Sequence, residues 1–336
     1  MHKTGSSSIQ QTFSGFKPEG YCYFDWKTPN HSPLFALLFH EPVESYHRFS
    51  GNAEPRQQLL AERAQWRDKL IAFIEENRGA TQVFSAEDIS GRYEGAVAAM
   101  RDFFAEYYDE IEVIAYVRPP ISYMQSGFQQ MVKGGGLDVL EPRRLWPNYR
   151  GRFEKLERVF GADRVRFRKF GKDSLVGGDV VTDFAAAVGA ELPKDRIVRA
   201  NDSLSLEAVA LLFAQRRLGE GFVRGFEGAH TANNRFIRLL SRIGEQKLVF
   251  APALTDPMVE ANRADLDWME ARLDAPLLDT PGTGGRQIAS EDDLLAVAEE
   301  NLPALEELLA TELENSADAP RTRLVRRLEM LRRLSY

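Results

Sequence analysis

Two rhythms of apolar residues alternate along the first two hundred positions. Ile111 to Val117 is an almost continuous apolar run, the pattern of a strand buried on both faces. Shorter runs at Gly20 to Asp25, Thr81 to Ser85 and Arg164 to Phe167 also read as strands. Between them the spacing changes to that of a helix. Leu59, Leu60, Trp66, Leu70, Phe73 and Ile74 predict a helix over 56–77, stopped at Gly79. Val97, Met100, Phe103, Phe104 and Tyr107 predict a second, 121–132 a third, and Phe153, Leu156, Val159 and Phe160 a fourth. Ile9 to Phe13 also has helical spacing and follows a polar turn. Strands alternating with amphipathic helices imply parallel pairing, hence a three-layer α/β/α core around a mostly parallel central sheet.

Beyond about residue 200 the pattern is mostly helical. Helices are expected at 205–218, 259–273 and 291–314, the last acidic and preceded by the glycine-rich stretch Pro281 to Gly285. A short basic helix is expected over 321–336, with its charged face solvated or paired with the acidic helix. The division that follows is an α/β core over 1–200 and a helical extension over 201–336.

Composition narrows the chemistry. A chain of 336 residues with 43% hydrophobic and 28% charged residues reads as an ordinary globular protein. A net charge of -7 argues against general nucleic-acid binding, which runs on basic surface. Cys22 is the only cysteine, so no internal disulfide or thiolate metal cluster can form. The histidines lack metal-ligand spacing. Without a membrane-length apolar run or a signal peptide, the expected location is the cytoplasm.

Two short motifs carry chemistry. Lys3-Thr4-Gly5-Ser6-Ser7-Ser8 opens a helix, and such a turn makes a concave nest of amides to which the helix adds its positive end. Alone, the same residues serve equally as a helix cap. The longer Gly-Lys-Ser/Thr loop of nucleoside triphosphatases is not present, which disfavours a P-loop kinase. The second motif is Tyr116-Val117-Arg118-Pro119-Pro120, an arginine at the carboxyl end of a strand, where open α/β sheets bind ligands. Ser126 follows eight positions later, about two helical turns on.

Together these motifs resemble the sulfotransferase family. The His2-Lys3-Thr4-Gly5 opening with Ile9-Gln10, and Val117-Arg118-Pro119-Pro120, look most like its bacterial members. The resemblance implies a donor, 3′-phosphoadenosine 5′-phosphosulfate, and no metal. Lys3, Thr4, Gly5, Ser6, Ser7 and Ser8 would hold the 5′-phosphosulfate, with Lys3 stabilising the bridging oxygen. Arg118 and Ser126 would hold the 3′-phosphate. The acceptor would be a hydroxyl or amine of a carbohydrate or small metabolite. For the base that takes the acceptor's proton, Glu87 is the first candidate, with Asp25 and His31 behind it. The same resemblance places a buried strand ahead of the loop, where only Met1 precedes His2; weak donor binding or instability is the expected consequence. A non-catalytic nucleotide-binding protein of the same fold is the alternative reading. Neither the acceptor nor the oligomeric state is written in these motifs.

Overall fold

A computed structural model of the chain describes residues 1–15, 19–47, 49, 56–200, 203–219, 229–279, 285–314, 324–325 and 327–328. In chain order the elements are α1 (Ser6–Gly15), β1 (Tyr21–Tyr23), α2 (Ser32–Phe39), α3 (Arg56–Glu76), β2 (Thr81–Val83), α4 (Glu94–Ala105), β3 (Val113–Val117), α5 (Pro120–Lys133), α6 (Tyr149–Phe160), β4 (Val165–Lys169) and α7 (Val180–Val188). There follow α8 (Leu206–Leu218), α9 (Ala229–Leu240), β5 (Val249–Phe250), α10 (Pro252–Ala261), α11 (Arg263–Leu273), β6 (Gln287–Ile288), α12 (Glu291–Glu300) and α13 (Leu302–Glu314). The fold is mixed α/β and mostly helical.

Among the described residues the strands pair in parallel, as their alternation with helices requires, in three two-stranded pairs with no ladder joining them into one central sheet. β1 lies beside β2 with Tyr21 opposite Thr81, and β3 beside β4 with Val113 opposite Val165. β5 and β6 make the third pair, with Val249 opposite Gln287.

Two compact units divide the chain. The first gathers Met1–Gly127, Pro142–Asp202 and Thr255–Pro281; the second gathers Phe128–Glu141, Ser203–Leu254 and Gly282–Tyr336. The division at residue 200 expected from the apolar pattern is crossed twice by these two units. Residues 255–281 belong with the amino-terminal strands, and 128–141 with the later helices.

In the first unit, alternation along β3 separates two apolar clusters. Ala115 and Val117 face a cluster with Phe35, Met100, Phe104, Phe153 and Leu156, contributed by α2, α4 and α6. Ile114 and Tyr116 face another with Ile9, Phe13, Val180 and Val181, contributed by α1 and α7. Burial on both faces is why this stretch reads as an unbroken apolar run. Beneath the second face Asp183, fully buried, accepts from Tyr116 Oη at 2.6 Å, Arg168 Nε at 2.6 Å and Nη2 at 2.7 Å, and the Val176 amide at 3.0 Å. In the second unit Phe128 packs on Phe213 and Phe250, at 5.8 and 5.7 Å between ring centroids. Ser290 and Asp293 close a reciprocal cap at the start of α12.

Several elements depart from the periodicity. α2, Ser-Pro-Leu-Phe-Ala-Leu-Leu-Phe, is buried along its whole length and so shows no polar face by which to recognise it. The helix expected over 259–273 is two helices, broken at Asn262. The acidic helix over 291–314 breaks at Asn301, just ahead of Pro303. Most of the basic tail 321–336, and Pro281 to Gly284, lie outside the described residues.

Candidate functional site

The polar turn at the amino end is a tight loop leading into α1. Lys3 and Gly5 both adopt left-handed backbone, φ 64° and 72°, on either side of Thr4. Gly5 is required twice over. A side chain is disfavoured at that φ, and a Cβ there would stand 2.6 Å from Val180 Cγ1. The Gly5 carbonyl accepts from the Ser8 amide at 3.0 Å and the Ile9 amide at 3.3 Å, which starts the helix. The amides of the first turn of α1 follow directly from the loop, the arrangement that favours an anion.

The four hydroxyls divide their work. Ser6 Oγ donates to Glu87 Oε2 at 2.8 Å. Thr4, buried, donates to the Met1 carbonyl at 2.6 Å and closes the loop on itself. Ser8 is also buried and accepts from the Ala200 amide at 3.1 Å, so it holds a neighbouring segment rather than facing the loop. Ser7 is half-buried on the first turn of α1.

Glu87 begins a 3₁₀ turn, Glu87–Gly91, just past the carboxyl end of β2. Its other oxygen accepts from Asn30 Nδ2 at 3.3 Å. His2 bridges the adjacent acids, with Nδ1 at 3.4 Å from Glu87 and Nε2 at 3.0 Å from Asp88. Burial pushes the Glu87 carboxyl up, but hydrogen bonds from His2 and Ser6 outweigh it and hold Glu87 below the usual carboxylate range. Burial likewise opposes the charge on His2, and the two carboxylates reverse this and raise its pKa. Asp88 also accepts from Tyr46 Oη at 3.0 Å and pairs with Arg92, and its carboxyl is held well below its ordinary value. His2 is the member of this cluster that the sequence undervalued. Only folding brings it to these two acids, 85 and 86 residues away in sequence.

Arg118 leaves the carboxyl end of β3 and reaches the same loop. Its Nη1 donates to the Lys3 carbonyl at 2.7 Å, Nε approaches Ser122 Oγ at 3.3 Å, and the guanidinium lies 5.6 Å from the centre of the Phe170 ring. Burial lowers the Arg118 pKa. Ser122, one helical turn after Arg118, is the hydroxyl that touches the guanidinium; Ser126 stands half-buried one turn further along α5. At the start of α5 the Asp279 carboxylate accepts from the amides of Ile121 at 3.0 Å and Ser122 at 2.8 Å.

The remaining candidates lie apart from this cluster. His31 is 0% exposed, with Nε2 donating to the Phe24 carbonyl at 2.9 Å and Nδ1 accepting from the Ser85 amide at 3.2 Å. Burial pushes its pKa down to about 4, and its ring stacks on Tyr23 at 4.7 Å. Both nitrogens of this neutral imidazole are spent tying the end of β1 to the end of β2, so it has no lone pair for an acceptor's proton. Asp25 is exposed in the turn after β1. Tyr21 Oη donates to the Val188 carbonyl at 2.7 Å and Trp146 Nε1 to Asp265 at 2.7 Å.

The chain thus brings together a glycine-turned helix start, an ionised glutamate on its first serine, and a half-buried arginine on its backbone. No protein-family model, curated protein or solved structure matches this chain. Among the described residues no helix is long and apolar enough to cross a membrane.

Proposed function

We propose that this chain is a sulfotransferase that takes its sulfonate from 3′-phosphoadenosine 5′-phosphosulfate. The observation that carries the reading is the hydrogen bond from Arg118 Nη1 to the Lys3 carbonyl at 2.7 Å, which joins two motifs 115 residues apart. An amide nest beside a guanidinium suits a ligand with phosphates at two ends. The reading carries with it a three-layer α/β/α core in which β1–β2 and β3–β4 belong to one parallel sheet.

In the reaction an acceptor oxygen or nitrogen attacks the sulfur in line and gives its proton to Glu87. The bond between sulfur and the bridging phosphate oxygen breaks as the new one forms. The negative charge left on that oxygen is met by Lys3 and the first amides of α1. Adenosine 3′,5′-bisphosphate leaves. Arg118 holds the 3′-phosphate, with Ser122 or Ser126 as its hydroxyl partner. The acceptor class is a carbohydrate or small metabolite.

The Asp279 carboxylate on the Ile121 and Ser122 amides favours a second reading, a nucleotide-binding protein without turnover. There the protein's own carboxylate takes the helix-start amides next to Arg118, in competition with a phosphate. Calorimetric titration with adenosine 3′,5′-bisphosphate, with ATP as control, tests both, and transfer of labelled sulfate separates them. Arg118→Ala weakens bisphosphate binding by about 1.5–3 kcal/mol through loss of a charge-assisted contact. Equal affinity for ATP and bisphosphate would defeat the proposal.

A further inference from the structure

The neighbours of Glu87 hold its two oxygens unequally. Oε2 receives Ser6 Oγ at 2.8 Å and faces His2 Nδ1 at 3.4 Å. Among the described residues Oε1 has one long contact, from Asn30 Nδ2 at 3.3 Å. Oε2 is thus the anchored oxygen, and Oε1 keeps a lone pair for a proton. The Glu87 side chain is 25% exposed, so an acceptor can reach it.

His2 Nε2 lies 3.0 Å from Asp88 Oδ1, so both ring nitrogens face carboxylate oxygens. Ionised carboxylates only accept; each nitrogen therefore carries a proton, and the ring is an imidazolium. His31 differs, because its Nδ1 accepts from an amide. The turn that carries the two acids is fixed without His2. Asp88 accepts from Tyr46 Oη, pairs with Arg92, and donates its amide to Ser32 Oγ at 3.1 Å. Lys155 Nζ, on α6, donates to the Ser90 carbonyl at 2.8 Å. His2 joins the amino-terminal loop to that fixed turn.

We infer that His2 is a positioning residue: clamped between Asp88 and Glu87, its imidazolium holds Glu87 Oε2 at the head of α1 and leaves Oε1 to take the acceptor's proton. The role of Glu87 rests on the proposed reaction; the clamp itself does not. The site then works in a window of pH. Below it Glu87 is protonated and is no base; above it His2 loses a proton and one of its carboxylate contacts loses its hydrogen. Burial opposes both charges. Hydrogen bonds from the two acids still raise the His2 pKa, and those from His2 and Ser6 still lower that of Glu87, which widens the window at both ends. The other charges at the clamp are Arg92 on Asp88, Lys3 next in the loop, and the Met1 α-amine, which burial pushes down to about 5.

The test compares the full chain with His2→Gln, which removes the charge, and His2→Lys, which restores a cation. Carbon-13 NMR follows titration of the Glu87 carboxyl with neither donor nor acceptor present. Hydrolysis of sulfate-labelled 3′-phosphoadenosine 5′-phosphosulfate, with water as the acceptor, gives kcat/KM against pH. In His2→Gln the carboxyl midpoint and the acid limb of the profile both rise by about one pH unit or more, and His2→Lys brings both back toward the parent chain. An unchanged midpoint in His2→Gln overturns the clamp. So does a loss of kcat/KM by one factor at every pH, because a merely structural defect moves no limb. If the parent chain neither hydrolyses the donor nor binds the bisphosphate, yet the midpoint moves as stated, the proposed reaction fails and the clamp on Glu87 stands.

Discussion

Gly5→Ala tests the loop's construction most directly. At φ 72° the alanine Cβ is forced into left-handed backbone, which costs about 1–2 kcal/mol. It also meets Val180 Cγ1 at 2.6 Å, well inside van der Waals contact, and crowding of that kind costs about 1–3 kcal/mol. The stiffer unfolded chain returns about 0.4–1 kcal/mol, leaving a net loss of roughly 1–5 kcal/mol. The two costs separate in a double-mutant cycle. Val180→Ala removes the offending methyl and, by itself, loses about 0.8 kcal/mol per buried methylene equivalent. In that background Gly5→Ala retains only its backbone cost, so the pair couples by about 1–3 kcal/mol. Urea unfolding of the four proteins at neutral pH supplies the numbers, provided the denaturant slope stays constant across them. An additive cycle would show that the loop does not pack on the start of α7, and a Gly5→Ala cost below about 1 kcal/mol would refute both contributions.

Three further outcomes follow from the same geometry. His31 has a folded pKa of about 4 against an ordinary 6.5, so between those values the unfolded chain binds more protons and stability falls on acidification; about 3 kcal/mol is lost by pH 4, the loss is smaller in His31→Gln, and an imidazole NMR titration with a midpoint near 6.5 would contradict this. Asp183→Ala strands the Tyr116 hydroxyl and the Arg168 fork and costs about 3–5 kcal/mol in urea unfolding, a change within experimental error counting against the buried network. On the proposed reading, in which Glu87 takes the acceptor's proton, Glu87→Gln lowers sulfate transfer with bisphosphate affinity unchanged; a parallel loss of affinity would place Glu87 in donor binding instead.

How much of this was legible beforehand depended on whether a residue's partners were near in sequence. β3 announced itself, because burial on both faces leaves an unbroken apolar signature. Gly5 and the polar turn were likewise visible, since a helix start is a local event. α2 escaped because a helix buried all round has no polar face to set a period, and the breaks at Asn262 and Asn301 escaped because the apolar spacing continues past them. His2 escaped for another reason: its role rests on contact with Asp88, and contact across a fold leaves no mark in either local segment. His31 stood as a candidate base by residue type alone, and folding spent both its nitrogens inside the protein.

By itself, then, the order of residues determined the kinds of element and the parallel sense of the strands, because each depends on local backbone preference and on which faces are apolar. The tertiary structure alone decided that Arg118 meets the Lys3 carbonyl, that Glu87 receives Ser6, that residues 255–281 return to the first unit, and that the described strands form three pairs. Those are matters of long-range packing, in which many weak contacts select one arrangement among several that the same local pattern allows.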